Sequence, residues 1–379
     1  MNRLDLDANA TTPLLPEVID AMRPWWLAGG NAESRHALGR AARRAWDHAR
    51  ETIARCLGAH PGEVIFTSGG TEANNLAILG LLSDKQSNAH VITGPIEHPA
   101  VSGPLAHLGE LGHSIEAAPI SRSGVIDPAT FATRFQPNTR LVTIMLANNE
   151  TGAIQPVSAL AALAAAHGIP THTDAAQAVG RIPVAFHALG VATLAASAHK
   201  FHGPCGIGVL LAREGTMLKP RLFGGNQQGG LRPGTPPVAL AVGMAAALEL
   251  WNSRAAAQIA RWRALRDRLE LQLRTALGTE NVVRHGPDLE PERLPQTLCL
   301  GFPGRDANAL LMQLDLAGVC VSVGSACASG STQPSPTLVA MNVRPDTLTS
   351  SLRVSLNQLA DEPLIDNAAA LIAKIVQNT

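Results

Sequence analysis

The stretch that decides the fold is Ser197-Ala198-His199-Lys200-Phe201-His202-Gly203-Pro204. It lies between two apolar runs, residues 191–196 and 206–212, and such runs are typical of strands buried on both faces of a sheet. A lysine between buried strands is costly unless it is paired or chemically used. Lys200 is therefore a candidate for Schiff-base chemistry. The alternative is a surface-loop lysine that keeps its charge in water.

Similar apolar runs recur along the first part of the chain, and helical segments such as 73–82 and 158–167 lie between several of them. The runs are residues 64–66, 91–93, 141–146, 170–173, 193–196 and 207–211. Because strands alternate with helices, the sequence predicts an α/β fold with a mostly parallel sheet. Ligands of such sheets bind beyond the carboxyl ends of the strands, so the polar residues that follow the runs matter most.

The pattern changes after Pro237, where residues 238–277 show helical periodicity without proline and predict one or two long helices. Further strand-like runs follow at residues 296–302, 319–323 and 351–355. They predict a second, smaller α+β domain, to which the extended first dozen residues belong or from which they cross to the first. We expect a large domain at residues 13–255 and a small domain formed by residues 1–12 and 256–379.

The bulk composition excludes several classes of protein. The chain has 379 residues and a formal net charge of zero, and it lacks a basic run that would indicate a nucleic-acid partner. No stretch approaches the roughly 20 apolar residues of a membrane span, and the acidic N-terminus does not resemble a signal peptide. The five cysteines are odd in number and irregularly spaced. They favour a reducing, cytoplasmic setting with free thiols.

A glycine turn after the run 64–66 predicts an anion site. The turn reads Ser68-Gly69-Gly70-Thr71-Glu72 and opens a helix. Exposed backbone N–H groups and the positive end of the helix suit a phosphate, and Thr71 adds a hydroxyl donor. The alternative is an ordinary strand-to-helix turn in which Thr71 or Ser68 caps the helix.

Asp174 ends the run that precedes Lys200 by about one strand-helix-strand unit. Adjacent parallel strands would bring Asp174 and Lys200 to the same end of the sheet. A buried aspartate needs a cation or a strong donor, and the pyridinium N–H of pyridoxal phosphate is such a partner. The alternative is a structural pair between Asp174 and a lysine or histidine.

Three further sets of polar residues follow strands at the same predicted end. His98 could stack on a flat cofactor ring or move protons, and the alternative is a solvated loop histidine. Asn148 and Asn149 follow the run 141–146, and Gln177 follows Asp174. Each of these amides could instead be a turn residue or a helix cap.

Cys327 stands in Val323-Gly324-Ser325-Ala326-Cys327-Ala328-Ser329-Gly330-Ser331, among glycine, serine and alanine. Cys299 and Cys320 have the bulkier neighbours that are typical of structural cysteines. The small neighbours of Cys327 predict an exposed, mobile and reactive thiol. The alternative is a small residue in a turn.

With these residues in place, the chain resembles the cysteine desulfurases of the NifS/IscS type, within the class V aminotransferases and the fold-type I pyridoxal-phosphate enzymes. The resemblance runs nearly end to end. Its motifs are Leu6-Asp7-Ala8-Asn9-Ala10-Thr11-Thr12-Pro13, Ala198-His199-Lys200, Gly203-Pro204, Gly324-Ser325-Ala326-Cys327 and Leu352-Arg353-Val354-Ser355-Leu356. It implies a large domain with a seven-stranded, mostly parallel sheet, and a smaller domain that carries the cysteine loop.

The resemblance also implies roles for single residues. Lys200 forms the Schiff base with pyridoxal 5'-phosphate and moves protons, while Asp174 pairs with the ring nitrogen. His98 stacks on the ring and serves as acid or base. The remaining cofactor contacts, to the ring oxygen region and the phosphate, are implied for Gln177, Asn149, Gly70, Thr71, Ser197 and His199.

For the substrate, the resemblance implies that Arg353 binds the carboxylate of L-cysteine, with Asn149 beside it. Cys327 takes the sulfur as a persulfide, which leaves alanine. Thr235 reaches the phosphate of the neighbouring subunit, so a homodimer is implied. The sulfur then passes to an acceptor protein, a scaffold or a sulfur carrier, in iron–sulfur cluster assembly or in thiolation. No metal site is expected.

Departures from the family pattern leave alternatives open. His202 and Cys205 stand where tyrosine and lysine are usual, and the role of Cys205 is open. The C-terminal tail that housekeeping members use to hold a scaffold protein is expected to be missing. A selenocysteine lyase or related aminotransferase would need Lys200 but not Cys327, and a catalytically silent, protein-binding paralogue would need neither.

Overall fold

The computed structural model describes residues 3–82, 88–288, 290–324 and 334–379. The strands are β1 Leu4–Asp5, β2 Val64–Thr67, β3 His90–Thr93, β4 Ser114–Ala117, β5 Thr139–Thr143, β6 Thr171–Asp174, β7 Thr193–Ser197, β8 Gly208–Ala212, β9 Val283–His285, β10 Thr297–Gly301, β11 Val319–Cys320 and β12 Ser351–Ser355. The helices are α1 Pro16–Ala28, α2 Ala37–Leu57, α3 Gly70–Leu81, α4 Pro99–Glu110, α5 Pro128–Ala132, α6 Val157–Ala166, α7 Phe186–Leu189, α8 Val238–Leu277, α9 Ala307–Leu316, α10 Pro336–Ala340, α11 Pro345–Leu348 and α12 Glu362–Asn378.

The main sheet of the described ranges has seven strands in the order β2-β8-β7-β6-β5-β3-β4. Only β8 runs antiparallel to its two neighbours, so the predicted, mostly parallel α/β sheet is confirmed. Strand β4 was not predicted, because at the sheet edge its residues are only partly buried and form no apolar run. Strand β5 ends at Thr143, earlier than the predicted run 141–146.

One 40-residue helix, α8, joins two hydrophobic cores. Its N-terminal part, up to Leu248, packs in the core that surrounds the main sheet, and the longer remainder, from Trp251, packs in another core. The prediction of long helices over residues 238–277 is thus confirmed as a single helix. Where α1 crosses α8, a Cβ on Gly243 would lie 2.4 Å from the sulfur of the buried Met22, so any larger residue here would have to displace that side chain.

The second core lies on a three-stranded antiparallel sheet of β9, β10 and β12. Strand β1 pairs in parallel with β11, and Leu6 is buried in this second core, so the extended N-terminus belongs here. The division at residues 12/13 and 255/256 stays a prediction. Trp251 already packs in the second core, a few residues before the expected boundary.

The carboxyl ends of the parallel strands meet at one edge of the main sheet. Strands β6 and β7 are adjacent and parallel, and Asp174 pairs in register with Ala195, so the expected neighbourhood of Asp174 and Lys200 follows. The sequence patterns that follow β2, β3 and β5 reach the same edge. Across the described ranges, the helices are all too short or too polar to span a bilayer.

Candidate active site

A cavity of about 270 Å³ lies at this edge of the sheet. Its volume is close to the lower end of the ~300–1,000 Å³ range of small-molecule sites. Residues that the sequence predicted for the site line it, namely Gly70, Thr71, His98, Asn149, Asp174, Gln177, Ser197, His199, Lys200 and Arg353. Lining residues that the sequence reasoning missed are Asn9, Ala10, Asn74, Ala100, Met145, Ala147 and Ala176. The structure therefore brings several separate sequence motifs together to form one polar cavity.

Lys200 ends a short 3-10 turn, Ala198–Lys200, that directly follows β7. Its side chain is half-buried, and Nζ donates to the carbonyl oxygens of Asn9 at 2.7 Å and Ala10 at 2.8 Å. These contacts hold the amine in the cavity wall, so the alternative of a solvated loop lysine does not fit. The N-terminal segment, which the sequence marked only as part of a motif, supplies both acceptors.

Asp174 is the last residue of β6 and is 6% exposed. One carboxylate oxygen, Oδ1, accepts the backbone N–H of Ala176 at 2.9 Å. The other, Oδ2, accepts the side-chain amide of Asn74 at 2.8 Å. Each oxygen keeps a further lone pair, so the carboxylate can accept another donor from the cavity.

The predicted phosphate turn leads directly into α3, which begins at Gly70. The first turn of a helix leaves backbone N–H groups without partners in the helix, here on Gly70 and Thr71. Ser197, at the end of β7, lies beside this turn, since a Cβ on Gly70 would be 3.6 Å from the Ser197 Cβ. Together they form a concentrated set of donors suited to an anion.

His199 adds a neutral ring to the same part of the cavity. Burial lowers the pKa of His199 to about 4, and the positive charge of Lys200 adds to this effect. Its Nδ1 lies 3.1 Å from the hydroxyl of Thr11, and its carbonyl oxygen accepts the backbone N–H of Thr12. The N-terminal segment thus fixes this residue as well as Lys200.

His98 caps the N-terminus of α4, where its Nδ1 accepts the backbone N–H of Ala100 at 3.1 Å. Burial lowers the pKa of His98, Asp174 opposes this effect and Lys200 adds to it. Since Nδ1 is an acceptor, the neutral ring carries its proton on Nε2. The structure therefore combines the helix-cap role with a position in the cavity wall.

The two asparagines after β5 have different places. Asn148 is a turn residue, because its Oδ1 accepts the backbone N–H groups of Glu150 and Thr151. Asn149 lines the cavity, and its carbonyl oxygen accepts from Asn9 at 3.0 Å. Gln177 donates to the carbonyl of Asn9 at 2.9 Å, while its Oε1 is buried without a partner among the described residues.

Arg353 lies in the middle of β12 and is 2% exposed. Its Nη2 donates to Oδ1 of Asp7 at 2.6 Å, and its Nη1 donates to the carbonyl of Asn149 at 3.3 Å. Nε is buried, and no described residue accepts from it. A fixed, partly unsatisfied guanidinium that faces a polar cavity can bind a carboxylate.

Two predicted residues are not placed in this cavity. Cys327 lies outside the described residues, so the expectation of an exposed, mobile thiol stays a prediction. Thr235 is exposed and does not line the cavity of its own chain. Gly324 and Ser335 stand on either side of the undescribed segment that contains Cys327. Ser335 donates to Glu150, next to Asn149, at 2.5 Å.

The two departures near Lys200 have different environments. His202 is 1% exposed and connects distant segments, since its Nδ1 lies 2.8 Å from the carbonyl of Pro13 and its Nε2 accepts the N–H of Gln358. Cys205 is exposed and does not line the cavity. The role of Cys205 stays open.

Two other features bear on what the chain can bind. In the described ranges, no group of three or more histidine, cysteine, aspartate or glutamate side chains is placed to hold a metal ion. A larger cavity of about 510 Å³ includes Arg43, Arg50 and Arg213 in its wall. It contains neither the lysine nor the aspartate of the predicted site, so the chemistry belongs to the smaller cavity.

Comparison with known proteins gives consistent results. The sequence profile of the family "Aminotransferase class-V" matches residues 5–367. The chain is similar to the cysteine desulfurase IscS of Dictyoglomus turgidum, with 40% identity over 376 residues that cover 98% of this chain and 94% of the relative. It is also similar in structure to a NifS-like protein, with a TM-score of 0.92, 31% identity and full coverage of both chains. A structure described as SspA in complex with cysteine has a TM-score of 0.81 and 32% identity, with 93% and 98% of the two chains covered.

The family match extends over most of the chain, and the identity to the relative exceeds what a shared fold alone would give. The residues that the resemblance named and that line the cavity end or follow strands of the main sheet, apart from Arg353 on β12. This chain belongs to the class-V aminotransferase family, and within it to the cysteine desulfurases of the NifS/IscS type.

Proposed function

We propose that this chain is a pyridoxal-phosphate-dependent cysteine desulfurase. It removes sulfur from L-cysteine, releases L-alanine and keeps the sulfur as a persulfide on Cys327 for transfer to an acceptor. The observation that carries the proposal is the shared cavity of Lys200, Asp174 and Arg353. An amine, a ring-nitrogen acceptor and a carboxylate clamp are the three groups that an amino-acid enzyme with this cofactor needs.

The polar groups of the cavity fit pyridoxal phosphate. The start of α3, at Gly70 and Thr71, offers donors to a phosphate, and Asp174 keeps an acceptor position for the ring nitrogen. The buried Oε1 of Gln177 has no described partner, which is costly unless a bound molecule supplies a donor. These residues would hold the cofactor, with Ser197 at its phosphate.

When bound, pyridoxal phosphate supplies an electron-withdrawing ring that eases loss of the substrate's Cα proton. The chain's own residues do the rest. Lys200 holds and moves a proton at Nζ, and the neutral His98 offers a proton at Nε2. Arg353 orients the substrate through its carboxylate, because a planar guanidinium can make two parallel hydrogen bonds to it. Asn149 holds that guanidinium through its carbonyl oxygen.

Cys327 defines the reaction within the family. Its thiolate attacks the sulfur of the substrate, so a sulfur–sulfur bond forms while the bond from Cβ to sulfur breaks, and Cβ takes up a proton. L-cysteine and the Cys327 thiol thus give L-alanine and the Cys327 persulfide. A reductant or an acceptor protein then regenerates the thiol.

The decisive experiment is the variant Cys327→Ala, assayed for alanine and sulfide from L-cysteine with a reductant present. We expect both products to be lost while the cofactor stays bound, and Cys205→Ala to remain active. Alanine release at the wild-type rate would show that the persulfide role is wrong and would favour a lyase or aminotransferase. Protein that binds no pyridoxal phosphate would favour the silent, protein-binding alternative.

We also infer a homodimer in which Thr235 reaches the partner's phosphate site. In support, Thr235 is exposed in its own chain, and the preceding residues Leu222 and Phe223 leave 49% and 87% of their surface uncovered. Equal mixing of inactive Lys200→Ala and Thr235→Ala chains should restore part of the activity, because each hybrid dimer keeps one intact site. The acceptor is a scaffold or sulfur-carrier protein. The odd number of cysteines favours free thiols and a cytoplasmic setting.

A further inference from the structure

A buried line of hydrogen bonds extends behind the Asp174 carboxylate. Asn74 donates from Nδ2 to Oδ2 of Asp174 at 2.8 Å. Nε2 of His172 lies 2.9 Å from Oδ1 of Asn74, and Nδ1 of His172 lies 2.9 Å from the hydroxyl of Thr193. Asn74 is 1% exposed, and His172 and Thr193 are fully buried. His172 and Thr193 therefore have no contact with solvent, and Asn74 meets it only where it lines the wall of the cavity.

The chemistry of the groups fixes the direction of every proton in this line. A carboxylate only accepts, so the amide of Asn74 must turn its NH₂ group toward Asp174 and its oxygen toward His172. His172 must then donate from Nε2. Burial lowers the pKa of His172 to about 3, against the opposing effect of a backbone hydrogen bond with Thr193, so the ring is neutral. With the proton on Nε2, the Nδ1 of this neutral ring accepts from the hydroxyl of Thr193.

The reverse orientation is excluded by the same inventory. If His172 carried its proton on Nδ1, its Nε2 would be an acceptor. The amide of Asn74 would then have to turn its NH₂ group toward His172. The amide oxygen would then face Oδ2 of Asp174, and two acceptors would oppose each other in a buried site, which is costly. The hydrogen bonds from Thr193 through His172 and Asn74 to Asp174 therefore have a single donor-to-acceptor direction.

We propose that Asn74 and His172 are positioning residues that hold the Asp174 carboxylate as an oriented acceptor for the ring nitrogen of pyridoxal phosphate. The inference rests on the proposed function, because it assigns a task to these residues only in an enzyme that binds this cofactor. His172 and Asp174 are two residues apart on β6, so their side chains point to the same face of the sheet and one strand carries both.

Helix α3 connects the two ends of the cofactor site. Gly70 and Thr71 begin the helix at the phosphate turn, and Asn74 lies one turn further along the same face. The position of α3 therefore sets both the phosphate donors and the donor to Asp174. Truncating Asn74 or His172 should weaken binding of the cofactor at its ring end, whereas the phosphate donors remain.

The test compares cofactor retention in the purified holoenzyme, followed by its visible absorption during dialysis at neutral pH. Asn74→Leu should weaken binding about ten- to a hundredfold, the size of a lost hydrogen bond to a charged group. His172→Leu should weaken binding and shift the absorption maximum. His172→Gln should retain binding close to wild type, because its amide can donate to Asn74.

The matched control is Thr143→Val on the neighbouring strand β5. Thr143 is fully buried, and its hydroxyl has no partner among the described residues, so its loss should not change cofactor binding. If His172→Leu retains the cofactor as well as Thr143→Val does, the proposed positioning role is wrong. A holoenzyme that never forms, even in the unmodified chain, would instead refute the proposed function.

A second measurement does not depend on whether the leucine variants fold. Histidine-selective ¹⁵N NMR of the unmodified holoenzyme should show His172 neutral, with its proton on Nε2. Its signal is assigned by its loss in His172→Gln. A proton on Nδ1, or a doubly protonated ring at neutral pH, would overturn the inference.

Discussion

Arg353 and Asp7 form a partly buried ion pair in which Nη2 of the arginine donates to Oδ1 of the aspartate over 2.6 Å. Asp7 follows strand β1 and bridges to Ser355 at the end of β12, so the N-terminal segment lies against the strand that carries Arg353. The same guanidinium donates to the carbonyl of Asn149. A guanidinium that is held from two sides is pre-organised for a substrate carboxylate.

The variant Arg353→Lys tests this clamp. Lysine keeps the charge opposite Asp7 but loses the planar fork, so we expect the KM for L-cysteine to rise about tenfold or more while the cofactor stays bound. Arg353→Leu should also lower stability, because it leaves Asp7 without its counter-charge. The control is Arg344→Lys in the exposed pair with Asp346. An unchanged KM in Arg353→Lys would refute the clamp.

Glu150 leads to a second test. It concerns the contacts of Ser335 and Thr337, which follow the segment that contains Cys327. Glu150 is 3% exposed, and it accepts from the hydroxyls of Ser335 at 2.5 Å and Thr337 at 3.1 Å. Burial raises the pKa of Glu150, and those two donors together with Arg353 oppose the rise. The carboxylate of Glu150 thus accepts from both hydroxyls, while the hydroxyl of Ser335 also caps α10 by accepting the backbone N–H of Leu338.

For Glu150→Gln we expect persulfide formation on Cys327 to slow about tenfold, since the amide can accept with only one of its two groups. The KM for L-cysteine and the cofactor absorption should stay near wild type. Single-turnover mass spectrometry of Cys327 measures the effect. Ser335→Ala and Thr337→Val should each reproduce part of it, and wild-type rates in all three variants would contradict this role of Glu150.

The residues that the sequence could reveal are those that follow strands of a parallel sheet. Lys200, Asp174 and His98 each follow an apolar run within five residues, so the strand-end rule places them at one edge of the sheet. Asn74 and Asp7 could not be found in this way. Their partners are distant in the sequence, and each reads locally as an ordinary helix or loop residue. Only the packed chain shows that they hold Asp174 and Arg353.

Glu97 leads to a prediction about pH and stability. Its Oε1 accepts the backbone N–H of Met145 at 2.7 Å, and its Oε2 is buried without a partner among the described residues. Burial raises the pKa of Glu97 well above 4.5, and Asp174 adds to the rise. As the pH rises above about 4.5 the unfolded chain loses this proton first, so the stability contributed by Glu97 falls until the folded pKa is passed.

Glu97→Gln stays neutral at every pH and should lack this fall. The variant should match wild type near pH 4.5 and be more stable at higher pH, in chemical unfolding at fixed protein concentration. Glu72→Gln is the control of opposite sign. Burial alone would raise the pKa of Glu72, but hydrogen bonds from Arg232 and Ser68 outweigh burial and lower it. Glu72→Gln should therefore lose stability at neutral pH, and equal pH profiles of the two variants would contradict both assignments.

Gly208 connects the sheet to the phosphate turn, and its replacement tests that connection. A Cβ on Gly208 would lie 2.6 Å from the carbonyl oxygen of Ala196 and 2.8 Å from the Cα of Gly69, and these backbone atoms cannot rotate away. Gly208→Ala must therefore push apart β7 and β8 or displace the turn before α3. We expect a stability loss of about 1–3 kcal/mol, the usual effect of overpacking, together with weaker cofactor binding.

The control for Gly208→Ala is Gly109→Ala in helix α4. A Cβ on Gly109 would lie 3.9 Å from Cγ1 of Ile115, an ordinary van der Waals contact, and alanine at an exposed helical position should stabilise the protein by about 0.5–1 kcal/mol. The unfolding temperature should therefore fall in Gly208→Ala and rise in the control variant. Cofactor retention should fall in Gly208→Ala alone. If Gly208→Ala lost stability but kept the cofactor, the strands would have moved and not the turn. The phosphate site would then be independent of the register between β7 and β8.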